Sequence, residues 1–185
     1  MNTSTPIFTE TDFDPSCAAR TGHLSLPHGT VETPAFMPVG TAGSVKAIRH
    51  DTLHDIGYRL ILGNTYHLFL RPGLDVLASF GGLHHFSTWK HNILTDSGGY
   101  QIFSLAPFRR ITAEGAVFRS HIDGSTHTLT PERAVDIQET IGSDIQMVLD
   151  VCTGADEGRK AATDALETTT QWAGRAKAHW MNARK

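Results

Sequence analysis

The sequence predicts an α/β fold built on a parallel sheet, and three observations carry that prediction. Segments with helical spacing alternate with short apolar runs three times from residue 51 onward, the order that helix-connected parallel strands require. The apolar runs, residues 58–62, 92–95 and 145–149, have strand length and are dominated by Ile, Leu and Val, as buried strands are. Each run leads into a polar side chain at or just after its carboxyl edge: Asn64, Asp96 and Asp150. That edge is where parallel α/β sheets bind ligands.

Composition narrows the class. With 185 residues, 39% hydrophobic, the chain is long enough to bury a core, and 19% charged residues argue against global disorder. It reads as one incomplete domain over 1–185, with a β region over 1–50 and the first βα units over 51–185. No apolar run approaches the roughly 20 residues that span a bilayer, and residues 1–10 lack a basic stretch followed by an apolar one. No membrane contact is expected. Cys17 and Cys152 are too few for a disulfide framework, so a cytoplasmic setting is expected. The formal net charge of −3 does not announce a nucleic-acid partner, because phosphate neutralisation needs cations; a local basic patch is still compatible with it. Arg175, Lys177, Arg184 and Lys185 crowd the C-terminus, as such a patch or as a solvated helix end.

Residues 23–26 and 30–33 alternate in polarity around Pro27-His28-Gly29 and predict an antiparallel hairpin. Asp51 is placed to cap a short helix that runs to Ile56 and stops at Gly57; the strand 58–62 follows. Leu74, Leu77 and Phe80 share a helical face between Pro72-Gly73 and Gly81-Gly82, ahead of the strand 92–95. Residues 116–122 and 125–129 predict an inserted hairpin. Its Asp123-Gly124 is the favoured two-residue connection, in which both turn positions take positive φ. Thr130 and Pro131 open a helix as N-cap and first residue, Ala134, Ile137 and Ile141 face one way, and Gly142 ends it. After the strand 145–149, Ala165, Thr169, Trp172, Ala176 and Trp180 form one helical stripe, read as core contact.

The chemistry concentrates in Asp96-Ser97-Gly98-Gly99-Tyr100-Gln101. A carboxylate and a hydroxyl at a strand end precede two glycines, which let the backbone turn tightly and let a planar ligand approach without a Cβ between. Tyr100 follows within reach of such a ligand. An ordinary βα turn with a capping Asp has the same spacing. An acid at this edge must face a crevice, since an unpaired buried carboxylate is strongly disfavoured. Among the eleven histidines, neither His84-His85 nor His121 with His127 has the spacing of a thiolate-containing zinc site, so no metal site is expected.

The stretch closely resembles the Asp-Ser-Gly-Gly-(Phe/Tyr)-Gln signature of tRNA-guanine transglycosylases. Thr33-Pro34-Ala35-Phe36-Met37-Pro38-Val39-Gly40-Thr41, Gly63-Asn64-Thr65-Tyr66-His67-Leu68, Leu70-Arg71-Pro72-Gly73, Gly81-Gly82-Leu83-His84, His121-Ile122-Asp123-Gly124, Thr130-Pro131-Glu132 and Gly142-Ser143-Asp144-Ile145 match in the same order, over about residues 20 to 180. The resemblance implies a partial (β/α)8 TIM barrel, comprising about its first three βα units, with an N-terminal β-hairpin region and an inserted hairpin. It implies exchange of guanine in tRNA for a 7-deazaguanine through a covalent ribosyl intermediate. Asp96 matches the general acid/base, Asp150 the carboxylate that reads the base edge, and Asn64 a residue that hydrogen-bonds the acid/base. Ser97, Gly98, Gly99, Tyr100 and Cys152 match the base pocket, with Tyr100 stacking; from the residue alone, Cys152 reads first as a small buried hydrophobe. Lys46 and His67 match a subunit contact and the pocket periphery.

Two departures follow. The family's Asp-Glu-Cys reads Asp150-Val151-Cys152 here, which removes a charge beside the pocket. The nucleophilic aspartate, a glycine-rich loop and a Cys3His zinc site lie, in family members, beyond the position of Lys185. No cofactor is therefore expected within these residues, and the chain alone is expected to form no RNA adduct. Its open sheet is expected to need the remaining half or a second copy. Two other readings use the same acids: a non-catalytic relative that binds nucleobase or tRNA, and a carboxylate-pair glycoside hydrolase.

Overall fold

A computed structural model describes residues 6–105 and 108–184; Lys185 of the C-terminal charge cluster lies outside them. The described residues form a mixed α/β structure with three three-stranded sheets and no closed barrel. β1 (Phe8–Phe13), β2 (Arg20–Leu26) and β3 (Gly29–Thr33) make an antiparallel sheet in which Leu26 opposes Gly29. β1 carried no clear alternation in the sequence, and all six of its residues are exposed.

The central sheet is parallel, ordered β4 (Leu60–Gly63), β5 (Asn92–Thr95) and β9 (Ile145–Gln146). Val39 adds a parallel bridge beside Leu62, so the chain near Gly40 flanks β4. The first connection is α1 (His50–Ile56). Asp51 does not cap it: Arg49 holds the cap position and makes no side-chain cap bond, while Asp51 sits in the first turn. Its carboxylate is drawn there by the Arg49 guanidinium at 2.6 Å and the Thr52 N–H at 2.8 Å, which hold its pKa down to about 2. The second connection is broken into α2 (Thr65–Leu68), an irregular turn through Gly73, α3 (Leu74–Ser79) and α4 (Leu83–Ser87). Leu77 is fully buried, but Phe80 is past the helix and half exposed against Phe86, so it does not extend the predicted face.

α5 (Gly99–Leu105) leads into the second antiparallel sheet, β6 (Arg109–Ile111), β7 (Ala116–Arg119) and β8 (Thr126–Leu129). The turn joining β7 to β8 is six residues, 120–125, rather than two. The Ser120 hydroxyl accepts from the Ile122 N–H at 3.1 Å and the Asp123 carboxylate from the Ser125 N–H at 3.1 Å, so side chains stop the ladder before Asp123-Gly124. α6 (Pro131–Ile141) begins as its residues dictate, with Thr130 Oγ1 accepting from the Arg133 N–H at 3.2 Å, and ends at Gly142 in the left-handed region. Ala134, Ile137 and Ile141 are buried against the sheet.

β9 spans two residues, not the five of 145–149. Gln138, 1% exposed, is the reason. Its amide donates to the Met147 carbonyl at 2.9 Å and its oxygen accepts from the Met147 N–H at 3.0 Å. A side chain from α6 thus takes the Met147 carbonyl and shares the Met147 N–H with the Thr95 carbonyl, which is 3.2 Å away. α7 (Gly158–Asn182) closes the structure. Ala165, Trp172 and Ala176 are buried, and the Trp172 indole donates to the Ala113 carbonyl at 3.0 Å. Trp180 leaves the stripe, 42% exposed beneath Arg184. Ile61, Leu68, Leu77, Trp89, Ile93, Ile137 and Trp172 share one core. Each such side chain contributes about 1.5–3 kcal/mol by leaving water.

Candidate functional site

Asp96 leaves β5 at its carboxyl end and turns toward the neighbouring strand end. Three N–H groups converge on its half-buried carboxylate: Asn64 Nδ2 at 2.6 Å, the Thr65 backbone N–H at 2.8 Å and Gln101 Nε2 at 3.0 Å. The Thr65 hydroxyl also donates to the Asp96 carbonyl, at 2.5 Å. Both ends of the residue are fixed, and the carboxylate orientation is set before any ligand arrives. Gln101 belongs to the sequence signature, but its role as the third partner was not read from it. The signal was its place in the first turn of a helix that begins three residues after the acid.

Ser97 turns the other way. Its side chain, 5% exposed, donates to Asp150 Oδ1 at 2.7 Å, and the Gly99 N–H donates back to the Ser97 hydroxyl at 3.1 Å. Cys152 donates to the second Asp150 oxygen at 3.3 Å. Burial, then the Asp150 charge and that hydrogen bond, push the Cys152 thiol up to about 11, so it is a protonated donor and not a thiolate. Gly99 has no room for a side chain: a Cβ there would land on the Asp150 carboxylate. Gly98 takes positive φ, +84°, against the Tyr66 backbone, which only glycine adopts freely.

Neither Asp96 nor Asp150 is in an ion pair among the described residues. Asp150 lines a narrow cleft of about 20 Å³ with Gly99, Ile102, Phe103, Arg109 and Cys152. Asp96 is drawn off that wall by its three donors. Tyr100 is 62% exposed at the start of α5, tilted over Phe103 with 6.5 Å between ring centres. Beyond Asp96, the Tyr66 hydroxyl meets His121 Nδ1 at 2.9 Å. Burial and then His121 lower the pKa of His67, against an opposing pull from Asp96, so His67 is neutral near pH 7. Larger clefts lie away from both acids, one beside Trp89 and His91 and one beside Met147 and Trp180.

One histidine cluster escaped the sequence reading. His28, His84 and Asp144 bring their ligand atoms within 4.8 Å of one another. The two imidazoles are stacked at 3.7 Å with an 18° tilt, and His84 Nε2 also meets the His91 carbonyl at 3.0 Å. Lone pairs of nearly parallel stacked rings cannot both point at one ion, so this geometry fits hydrogen bonding to a buried carboxylate better than coordination.

The model of the queuine tRNA-ribosyltransferase family matches residues 14–185. The chain is 54% identical over 182 residues to a protein of Treponema denticola named queuine tRNA-ribosyltransferase, covering 98% of this chain and 48% of that one. Proteins of the same name from Desulforudis audaxviator and Desulforapulum autotrophicum are 55% and 56% identical over 167 and 163 residues, covering 90% and 88% of this chain and 45% and 44% of theirs. The chain spans about half the length of the curated relatives it matches.

Proposed function

We propose, from the premise that this chain belongs to the queuine tRNA-ribosyltransferase family, that it forms the base-recognising portion of a tRNA-modifying transferase. The reaction is exchange of a guanine in tRNA for a 7-deazaguanine, and the portion is the opening of a (β/α)8 barrel. The observation that carries this reading is the pair of carboxylates, without an ion pair among the described residues, held on either side of the Asp96–Ser97 peptide, Asp96 at the end of β5 and Asp150 four residues beyond β9, beside Gly98-Gly99.

Each acid has a separate task. Asp150 accepts from the ring N–H and exocyclic amine of a guanine-like edge, as an acceptor-only carboxylate does, and Gly99, lacking a Cβ, lets that carboxylate pack against the chain beside Ser97. Asp96 exchanges the proton of the departing and arriving base nitrogen. Tyr100 stacks on the base after it leaves the RNA stack, which offsets part of the unstacking. We assign the nucleophile that holds the ribose to a carboxylate other than Asp96 and Asp150. The remaining half of the barrel or a second copy completes the site, and the setting is the cytoplasm.

The test is equilibrium binding of free guanine and a 7-deazaguanine to the chain and to Asp150→Asn. Losing a charged acceptor facing two donors weakens binding by about 1.5–3 kcal/mol, roughly tenfold to a hundredfold. Equal affinity in the two proteins refutes the assignment. Base binding without exchange, when the missing half is supplied, selects the non-catalytic relative instead.

A further inference from the structure

A chain of net charge −3 needs cations that are not already spent on its own carboxylates if it is to hold RNA. The C-terminal arginines do not qualify. Arg175 pairs with Glu132 at 2.8 Å, and Arg184 with Glu139 at 3.2 Å. Arg109, Arg110 and Arg119 in the second antiparallel sheet have no carboxylate within ion-pair distance among the described residues.

Arg109 is distinguished from the other two by position. It opposes Phe118 in the ladder, so alternation along β6 and β7 puts Arg110 and Arg119 on the other face of the sheet. Its guanidinium lies 4.6 Å above the Phe103 ring, and Nη1 donates to the Phe103 carbonyl at 2.6 Å. Ring and carbonyl hold the side chain, while most of its five N–H donors stay available. It lines the same cleft as Asp150, Gly99 and Cys152.

We propose that Arg109 is a phosphate clamp for the RNA strand that delivers its base to the Asp150 cleft. The inference rests on the tRNA reading above and adds the surface that holds the backbone. A planar cation set on the cleft wall meets the phosphate next to an extruded nucleotide. Arg110 and Arg119, facing away, contribute only to the long-range field.

The test is fluorescence-anisotropy titration of an anticodon stem–loop RNA with guanine at the wobble position. It uses the chain, Arg109→Ala, Arg109→Lys and Arg119→Ala, between about 50 and 200 mM salt. Arg109→Ala is expected to bind about tenfold more weakly, with the slope of log K against log salt reduced by about 0.7, one single-stranded phosphate. Arg109→Lys keeps the slope, and Arg119→Ala stays within about twofold in affinity. An unfolding midpoint in urea unchanged in Arg109→Ala, followed by the fluorescence of buried Trp89 and Trp172, shows that the variant is folded. Wild-type affinity and slope in Arg109→Ala, or an equal loss in Arg119→Ala, overturns the clamp and leaves the base-binding reading standing. No RNA binding by the unsubstituted chain overturns both the clamp and the tRNA reading.

Discussion

Gln138→Ala tests whether one side chain holds the segment that carries Asp150. In the native structure all four hydrogen-bonding positions of the Gln138 amide are filled: Thr95 Oγ1 and the Met147 N–H donate to it, and it donates to the Ala134 and Met147 carbonyls. Truncation does not strand every partner. Thr95 keeps Ser143 at 2.7 Å and the Met147 N–H keeps the Thr95 carbonyl at 3.2 Å, whereas the Met147 carbonyl has no other partner among the described residues. One orphaned carbonyl costs about 1–3 kcal/mol. Lost packing in a site only 1% exposed adds about 1 kcal/mol. The sum, about 2–4 kcal/mol, lowers the melting temperature by roughly 5–15 °C in a chain of this length. Urea unfolding followed by tryptophan fluorescence measures it, since Trp89 and Trp172 are both buried in the same core. A change within about 0.5 kcal/mol, the range of an inert surface substitution, refutes the claim that Gln138 anchors the segment after β9.

Three other outcomes are expected. Gly99→Ala drives a methyl group into the Asp150 carboxylate, so guanine affinity falls while the Asn64–Asp96 side of the site is untouched; a variant that binds guanine normally contradicts the close packing. Burial alone raises the pKa of Asp144, but hydrogen bonds from His84, His28 and the Ile93 N–H outweigh it and hold the pKa below 3.8. A depressed carboxylate stabilises the fold above its unfolded pKa and loses that contribution as pH falls through the folded value. Stability should therefore drop below about pH 4, and Asp144→Asn should flatten that limb of the pH profile. At pH 8, Cys152, pushed up to about 11, should react with a thiol reagent far more slowly than exposed Cys17; equal rates contradict the half-buried, protonated thiol donor.

What the sequence revealed and what it hid divide along the range of the interactions. Thr130, Pro131 and Gly142 delimit α6 because caps act within one turn, and such signals are local. The short β9 was hidden because its end is decided by Gln138, nine residues upstream on another element. The six-residue turn was hidden because the Ser120 hydroxyl outcompetes a local dipeptide preference. At the site, periodicity brought Asn64 and Asp96 to strand ends but not Asp150, which follows β9 by four residues, and the Asn64–Asp96 contact was implied only through the family resemblance. Gln101, the Ser97–Asp150 bond and the free guanidinium of Arg109 depend on side-chain directions that no spacing rule records.

The order of Asp96 and Ser97 has a mechanical corollary. One residue is anchored toward Asn64 and its neighbour toward Asp150, so a single peptide plane is the lever between two acids. Tilting that plane to tighten one anchor must loosen or rotate the other. A shift of Asp150 is therefore coupled to Asp96 through that one peptide plane.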